Sequence, residues 1–84
     1  MYTNVYRKRF SEILSRQIKV KFLRMPSAAF ITKEYNLYAY NTGSVSRETI
    51  RKWINGSNVP TLDKLIFLRQ WLDLDMNELF SDIV

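Results

Sequence analysis

Five polar residues between positions 47 and 55 have side chains suited to hydrogen bonding with a charged or polar partner. At the roughly 100° turn per residue of an α-helix they fall on one side, opposite Ile50 and Trp53. They are Arg47, Glu48, Arg51, Lys52 and Asn55. Arginine and lysine donate to guanine O6 and N7, glutamate accepts from cytosine N4, and asparagine commonly donates to phosphate. A short helix with this face has the chemistry needed to enter the major groove of DNA.

The same five residues also fit a plain, solvated helix surface. Glu48 lies three residues before Arg51 and four before Lys52, and either pair would stabilise an exposed helix without any function. The residue types therefore leave both interpretations open.

Signals at both ends predict that this helix covers residues 46–55. Ser46 is a favoured N-cap, and Val45 with Ile50 occupies the two positions of a hydrophobic staple. Gly56 suits the left-handed residue that ends a helix, and Asn55 precedes it.

Two helices are predicted before this one, over residues 5–22 and 27–38. The first carries one stripe at spacings of three and four, which comprises Tyr6, Phe10, Ile13, Leu14, Gln17 and Ile18. Pro26 ends it, and Ser27 opens the second. Residues 38–40 either continue the second helix or leave it, and residues 41–44 have the composition of a turn.

Two further helices are predicted over residues 61–72 and 76–82. The fourth, after Pro60 and a Thr61 cap, is expected to be the most buried because its apolar residues cover more than half its circumference. These are Leu62, Leu65, Ile66, Leu68, Trp71 and Leu72. Asp75 and Glu78 have capping-box spacing, and Leu74 with Leu79 repeats the staple. The sequence thus predicts a single all-α domain over residues 1–84, compact and with five helices.

Composition disfavours an enzyme. The 84 residues include no His, which is the commonest general base and metal ligand, and no Cys, which supplies the thiolate nucleophile. Asp73 and Asp75 have no third carboxylate or glycine-turn loop beside them to form a cation site. We expect no catalytic residue, metal or cofactor.

The net charge of +5 is unevenly distributed. Basic residues dominate the first 24 positions, and the last twelve contain acidic residues and no basic ones, which suggests a polyanion partner on one side and water or a protein on the other. Residues 7–9, Arg-Lys-Arg, are either an arm along a DNA backbone or the solvated first turn of a helix.

Neither a long apolar run nor a signal-peptide pattern occurs, so we expect a soluble, cytoplasmic protein without membrane contact.

The stretch VSRETIRKWINGSNVPTL, residues 45–62, strongly resembles the recognition helix and following loop of the lambda-repressor/Cro-like (Xre) family. Members of that family have a small capping residue, a buried isoleucine, Trp or Leu three positions later, then Gly, and Pro four after it. Here these are Ser46, Ile50, Trp53, Gly56 and Pro60. The later leucines and residues 74–80 also look like that family.

The resemblance implies a lambda-repressor-like helix-turn-helix fold whose third helix reads DNA. It implies base contacts from Arg47, Glu48 and Lys52, with Arg51 at the edge of that set, and backbone contacts from Ser46, Thr49, Asn55, Thr61 and Lys64. The N-terminal amides of the fourth helix would also bind phosphate.

The connection between the second and third helices departs from the family pattern, since residues 35–45 are too many for its usual short turn. The alanine normally packed inside the second helix cannot be assigned among Ala28, Ala29, Thr32 and Ala39. No contact from the second helix is therefore carried over. Tyr35, Tyr38 and Tyr40, near Lys33, are interpreted as covering the core and the turn rather than stacking on unpaired bases.

The resemblance favours a phage- or plasmid-type repressor that binds duplex DNA as a homodimer and occludes a promoter, in the nucleoid of a bacterial or phage-infected cell. The sequence does not show the dimer surface: the fifth helix with Phe80 and Ile83, or the first with Tyr2 and Tyr6, could supply it. A monomer in solution that pairs only on DNA is the alternative to a stable dimer. The alternatives are an antitoxin-like or adaptor protein, which would bind a protein through the acidic last helix and the long turn, and a nonspecific nucleic-acid binder.

Overall fold

Five α-helices account for the regular structure of residues 2–39 and 41–81, which are the residues that the computed structural model of the chain describes. The helices are α1 (Tyr2–Phe22), α2 (Ala28–Tyr38), α3 (Arg47–Asn55), α4 (Leu62–Leu72) and α5 (Met76–Phe80). No strand occurs in these two ranges, so the predicted all-α class is confirmed for them. None of these helices combines the length and apolar character needed to span a bilayer.

Most helix ends lie within one residue of their predicted positions. Helix α1 begins at Tyr2 rather than residue 5, although Thr3, Asn4 and Val5 are weak helix formers. Its end at Phe22 is followed by Leu23 in the left-handed region, at φ 63°. Ser27 caps α2 by accepting from the Phe30 N–H at 3.1 Å. The predicted end of α5 at residue 82 lies outside the described residues.

All five helices contribute buried side chains to one core, and an aromatic cluster within it joins α2, α3 and α4. The predicted stripe of α1 buries Phe10, Ile13, Leu14 and Ile18. Tyr35 of α2 is fully buried, with its ring 5.7 Å from Trp53, 5.0 Å from Phe67 and 5.9 Å from Trp71, measured between centroids. Each contact is edge-to-face, the geometry that aromatic rings favour. Tyr35 is therefore a core residue, as expected.

Helix α4 is less buried than its composition predicts. Leu65, Leu68 and Leu72 are buried, whereas Leu62 is 71% exposed and Ile66 47% exposed. The prediction for these two residues was wrong because α1 and the aromatic residues of α2 cover only one side of α4. An apolar strip on the other side therefore faces solvent.

Helix α5 is held at both its start and its middle. Asp75 accepts from the N–H groups of Asn77 and Glu78, at 2.9 and 3.2 Å, as its predicted capping role requires. The Glu78 carboxylate does not close a capping box. It forms a two-pronged ion pair with Arg16 of α1, with one bond of 2.9 Å, and the buried Leu79 sits beside it in the sequence. The pair ties α5 to α1.

This ion pair predicts a pH dependence of stability. The Arg16 guanidinium lowers the pKa of the Glu78 carboxyl from its usual 4.5. Because the folded-state pKa is the lower one, the pair stabilises the fold above that value, and the contribution disappears as the pH falls through the folded-state pKa. We expect the free energy of unfolding of Glu78→Gln to fall less than that of the parent between about pH 6 and about pH 3. Urea denaturation at each pH measures it, and parallel pH profiles would contradict the assignment.

Candidate nucleic-acid interface

Helix α3 is short and has a defined cap at each end. Ser46 has an extended backbone, and its Oγ accepts from the Thr49 N–H at 3.1 Å. Gly56 adopts φ 81°, in the left-handed region, and its N–H bonds to the Lys52 carbonyl. A side chain at position 56 would be strained by that φ. Both predicted ends of α3 are thus confirmed.

The two faces of α3 differ as the helical wheel predicts. Ile50 and Trp53 are buried at 2% exposure each, and the five polar residues on the opposite side are all exposed: Arg47, Glu48, Arg51, Lys52 and Asn55. Within the described residues, none of the four charged side chains forms an ion pair. Glu48 therefore pairs with neither Arg51 nor Lys52. Three positive charges and one negative charge give the face a net charge of +2.

The entry to α3 is fastened to α2 by one side chain. The Asn36 amide nitrogen donates to the Val45 carbonyl at 2.9 Å, and its oxygen accepts from the Val45 N–H at 2.8 Å. Sequence reasoning missed Asn36, since an asparagine nine residues before its partner leaves no periodic or local signal. The two bonds set where the backbone enters α3.

The long α2–α3 connection is held by hydrogen bonds at several points. Thr42 donates its N–H to the Ala39 carbonyl at 3.1 Å, and Gly43 takes a left-handed φ of 79°. The Lys64 ammonium of α4 donates to the Thr42 carbonyl at 2.6 Å. The extra residues that depart from the family pattern therefore form a turn anchored to α4.

Helix α1 braces the other end of α3. Ser11 Oγ donates to the Ile54 carbonyl, and Nη1 of Arg7 donates to the Ser57 carbonyl at 3.3 Å. Residues 7–9 are helical, which excludes an extended arm. Arg9 points elsewhere, donating to the Glu78 carbonyl of α5 at 2.9 Å.

The residues predicted to contact a DNA backbone lie in two places. Three lie on or beside the exposed face of α3. Ser46 and Thr49 join their hydroxyls at 3.0 Å, and Asn55 Oδ1 accepts from the Ser57 N–H at 2.9 Å. The other two lie at the start of α4, where Lys64 bonds to the turn and Thr61 Oγ1 donates to the Asp63 carboxylate.

Asp63 changes the electrostatics at the start of α4. The Thr61 hydroxyl lowers the pKa of the Asp63 carboxyl, and the Lys64 backbone N–H acts in the same direction. A charged carboxylate thus lies where the exposed amides and the helix dipole would attract an anion. Thr61 itself has the backbone of an N-cap but makes no capping hydrogen bond with its side chain.

Other candidate residues have structural positions. Tyr38 is half-exposed on α2, and Tyr40 lies outside the described residues. Across 2–39 and 41–81, no group of three or more acidic, histidine or cysteine side chains is placed to hold a metal ion. Comparisons with protein-family models, with curated proteins and with solved structures found no match for the chain.

Loss of the Asn36 side chain should loosen the entry to α3. We expect Asn36→Ala to lower the free energy of unfolding by about 1–3 kcal/mol, because it leaves half-buried backbone groups of Val45 unpaired. Asn41→Ala, in the exposed turn, is the matched control and should stay within about 0.5 kcal/mol of the parent. Urea denaturation measures both variants. Equal stability of the two would contradict the role of Asn36.

Proposed function

We propose that this chain is a sequence-specific, duplex-DNA-binding transcriptional regulator with a lambda-repressor-like helix-turn-helix fold, and that it is not an enzyme. The observation that carries the proposal is the exposed face of α3, where four charged side chains without ion pairs among the described residues stand opposite a buried Ile50 and Trp53. The resemblance of residues 45–62 to a recognition helix also supports it.

In the proposed mechanism α3 lies in the major groove while α2 crosses the backbone. An α-helix about 10–12 Å wide with its side chains matches a groove about 12 Å wide. Arg47, Arg51 and Lys52 donate to base edges, and Asn55 donates to a phosphate. Repression then follows from occlusion of a promoter.

Glu48 argues for sequence reading over charge-only binding. A carboxylate among cations weakens attraction to phosphates, and so it is a cost for a nonspecific binder. In DNA binding it gains a role where it accepts a hydrogen bond from a base such as cytosine. The mixed charge of the face therefore favours base discrimination.

The proposed regulator acts as a homodimer, and α4 offers the better surface for it. Tyr6 and Phe80, from the two expected surfaces, stack on each other within the chain at 5.7 Å. Leu62 and Ile66 of α4 instead form an exposed apolar strip. Asp63 lies three residues before Ile66, and Arg69 lies three residues after it. If two copies pair antiparallel about a two-fold axis at Ile66, Asp63 of each copy lies level with Arg69 of the other. The strip is thus complementary to itself in charge.

The exposed strip also favours the runner-up function, an adaptor that binds another protein. The acidic last helix and the long turn, which the sequence suggested for that role, already make contacts within the chain. Glu78 pairs with Arg16, and the Thr42 carbonyl of the turn accepts a hydrogen bond from Lys64. A heterologous partner would cover Leu62 and Ile66 in place of a second copy.

Base reading predicts a specific loss on truncation of the α3 face. We expect Arg47→Ala and Lys52→Ala each to weaken binding to a preferred duplex by roughly 1–3 kcal/mol and to relax discrimination at one base position. Arg24→Ala, exposed between α1 and α2, is the control for lost charge. Competition with single-mismatch duplexes measures the effect. If both α3 variants bind the preferred duplex and its mismatches as the parent does, base reading by this face is refuted.

Dimerisation through α4 predicts a sensitive position at Ile66. Ile66→Glu buries a charge at the centre of the contact, and we expect the dimer dissociation constant to rise at least about tenfold. Val20→Glu places the same charge at another exposed apolar position and should leave the dimer dissociation constant unchanged. Sedimentation equilibrium measures both variants. A dimer that survives Ile66→Glu unchanged would move the interface away from α4.

A further inference from the structure

A cleft of about 290 Å³ lies between α1 and the C-terminal end of α3. Its lining comes from both helices and comprises Arg7, Lys8, Ser11, Glu12, Asn55 and Gly56. Asn55 belongs to the exposed face of α3 and Lys8 is exposed on α1. The cleft therefore adjoins the surface proposed to meet DNA.

The cleft has the charge and the donors of an anion site. Two cations, Arg7 and Lys8, outnumber the one carboxylate, Glu12, and neither cation forms an ion pair with any described residue. Arg7 is held in place by its bond to the Ser57 carbonyl. Because Asn55 uses its oxygen to accept from the Ser57 N–H, its amide nitrogen is the group positioned to donate to an incoming acceptor.

The start of α4 is the competing site for a phosphate, and its charges are less favourable. The Asp63 carboxylate lies in the first turn of α4, bonded to the Thr61 hydroxyl, and would repel a second anion. The nearby Lys64 ammonium is engaged with the Thr42 carbonyl. A phosphate at that end would meet one carboxylate and the single Lys64 ammonium, whereas one in the α1–α3 cleft would meet two cations and one carboxylate.

We propose that this cleft binds a backbone phosphate of the duplex whose major groove α3 enters. Lys8 and Arg7 supply the positive charge, and Asn55 supplies a hydrogen bond. This inference rests on the proposed function and adds α1 to the DNA-binding surface. Since Ser11 of α1 is bonded to the Ile54 carbonyl, a phosphate held by α1 sets the position of α3 along the groove.

The test compares Lys8→Gln with Lys19→Gln. Both lysines are exposed on α1, and Lys19 lies about 16 Å further along the helix, away from the cleft. The affinity of the parent and both variants for a mixed-sequence duplex of about 30 base pairs is measured from about 50 to 200 mM salt. We expect Lys8→Gln to reduce the slope of log affinity against log salt by about one, and to weaken binding about fivefold near 150 mM. Lys19→Gln should match the parent.

The outcomes separate this inference from the proposed function. If the parent binds and Lys8→Gln behaves as Lys19→Gln does, the phosphate site is refuted while DNA binding stands. A Lys8 effect in a protein that shows no base preference supports the cleft and refutes sequence-specific reading. Failure of the parent to bind the duplex even at the lowest salt refutes both.

Discussion

Trp53 packs edge-to-face against Tyr35 at 5.7 Å between ring centroids, and the placement of α3 depends on that contact. A nine-residue helix is marginal in water by itself, because isolated helices below about 12–15 residues gain too few hydrogen bonds to offset nucleation. Truncating a buried tryptophan typically costs about 3–5 kcal/mol, a large part of the roughly 5–15 kcal/mol that stabilises a domain. The buried side of α3 thus stabilises the helix, and the exposed side is left to carry charge.

Polar contacts set the two ends of α3, while its buried side chains hold its middle. Asn36 bonds both backbone groups of Val45 at the entry, and Ser11 bonds the Ile54 carbonyl near the exit. These bonds join α3 to α2 and α1, so the charged face has little freedom to tilt. Side chains that read base edges need this kind of rigid support, since loosely held groups lose discrimination. The same brace from α1 brings Lys8 to the side of the proposed DNA surface.

The helix ends could be predicted from the sequence, whereas the packing between helices could not. The ends of α3 were predictable because Ser46 and Gly56 act on the backbone beside them. Which apolar residues of α4 are buried was not, because Leu62 and Leu65 look alike in a periodic pattern and differ only in what packs over them. The bonds of Asn36 to Val45 and of Lys64 to Thr42 were missed for the same reason, since each partner lies well away in the sequence. The exposed face of α3 was predictable, whereas the cleft that joins it to α1 required the packing of two helices.

Selection of bound duplexes from a randomised pool at about 150 mM salt, followed by sequencing, is the decisive test of base reading by α3. If a homodimer reads bases through α3, a near-palindrome whose half-sites are about ten base pairs apart, one helical turn, will be enriched. Retention of duplexes without an enriched sequence would contradict base reading by α3. Absence of retention would contradict DNA binding itself and favour a protein partner on the exposed strip of α4.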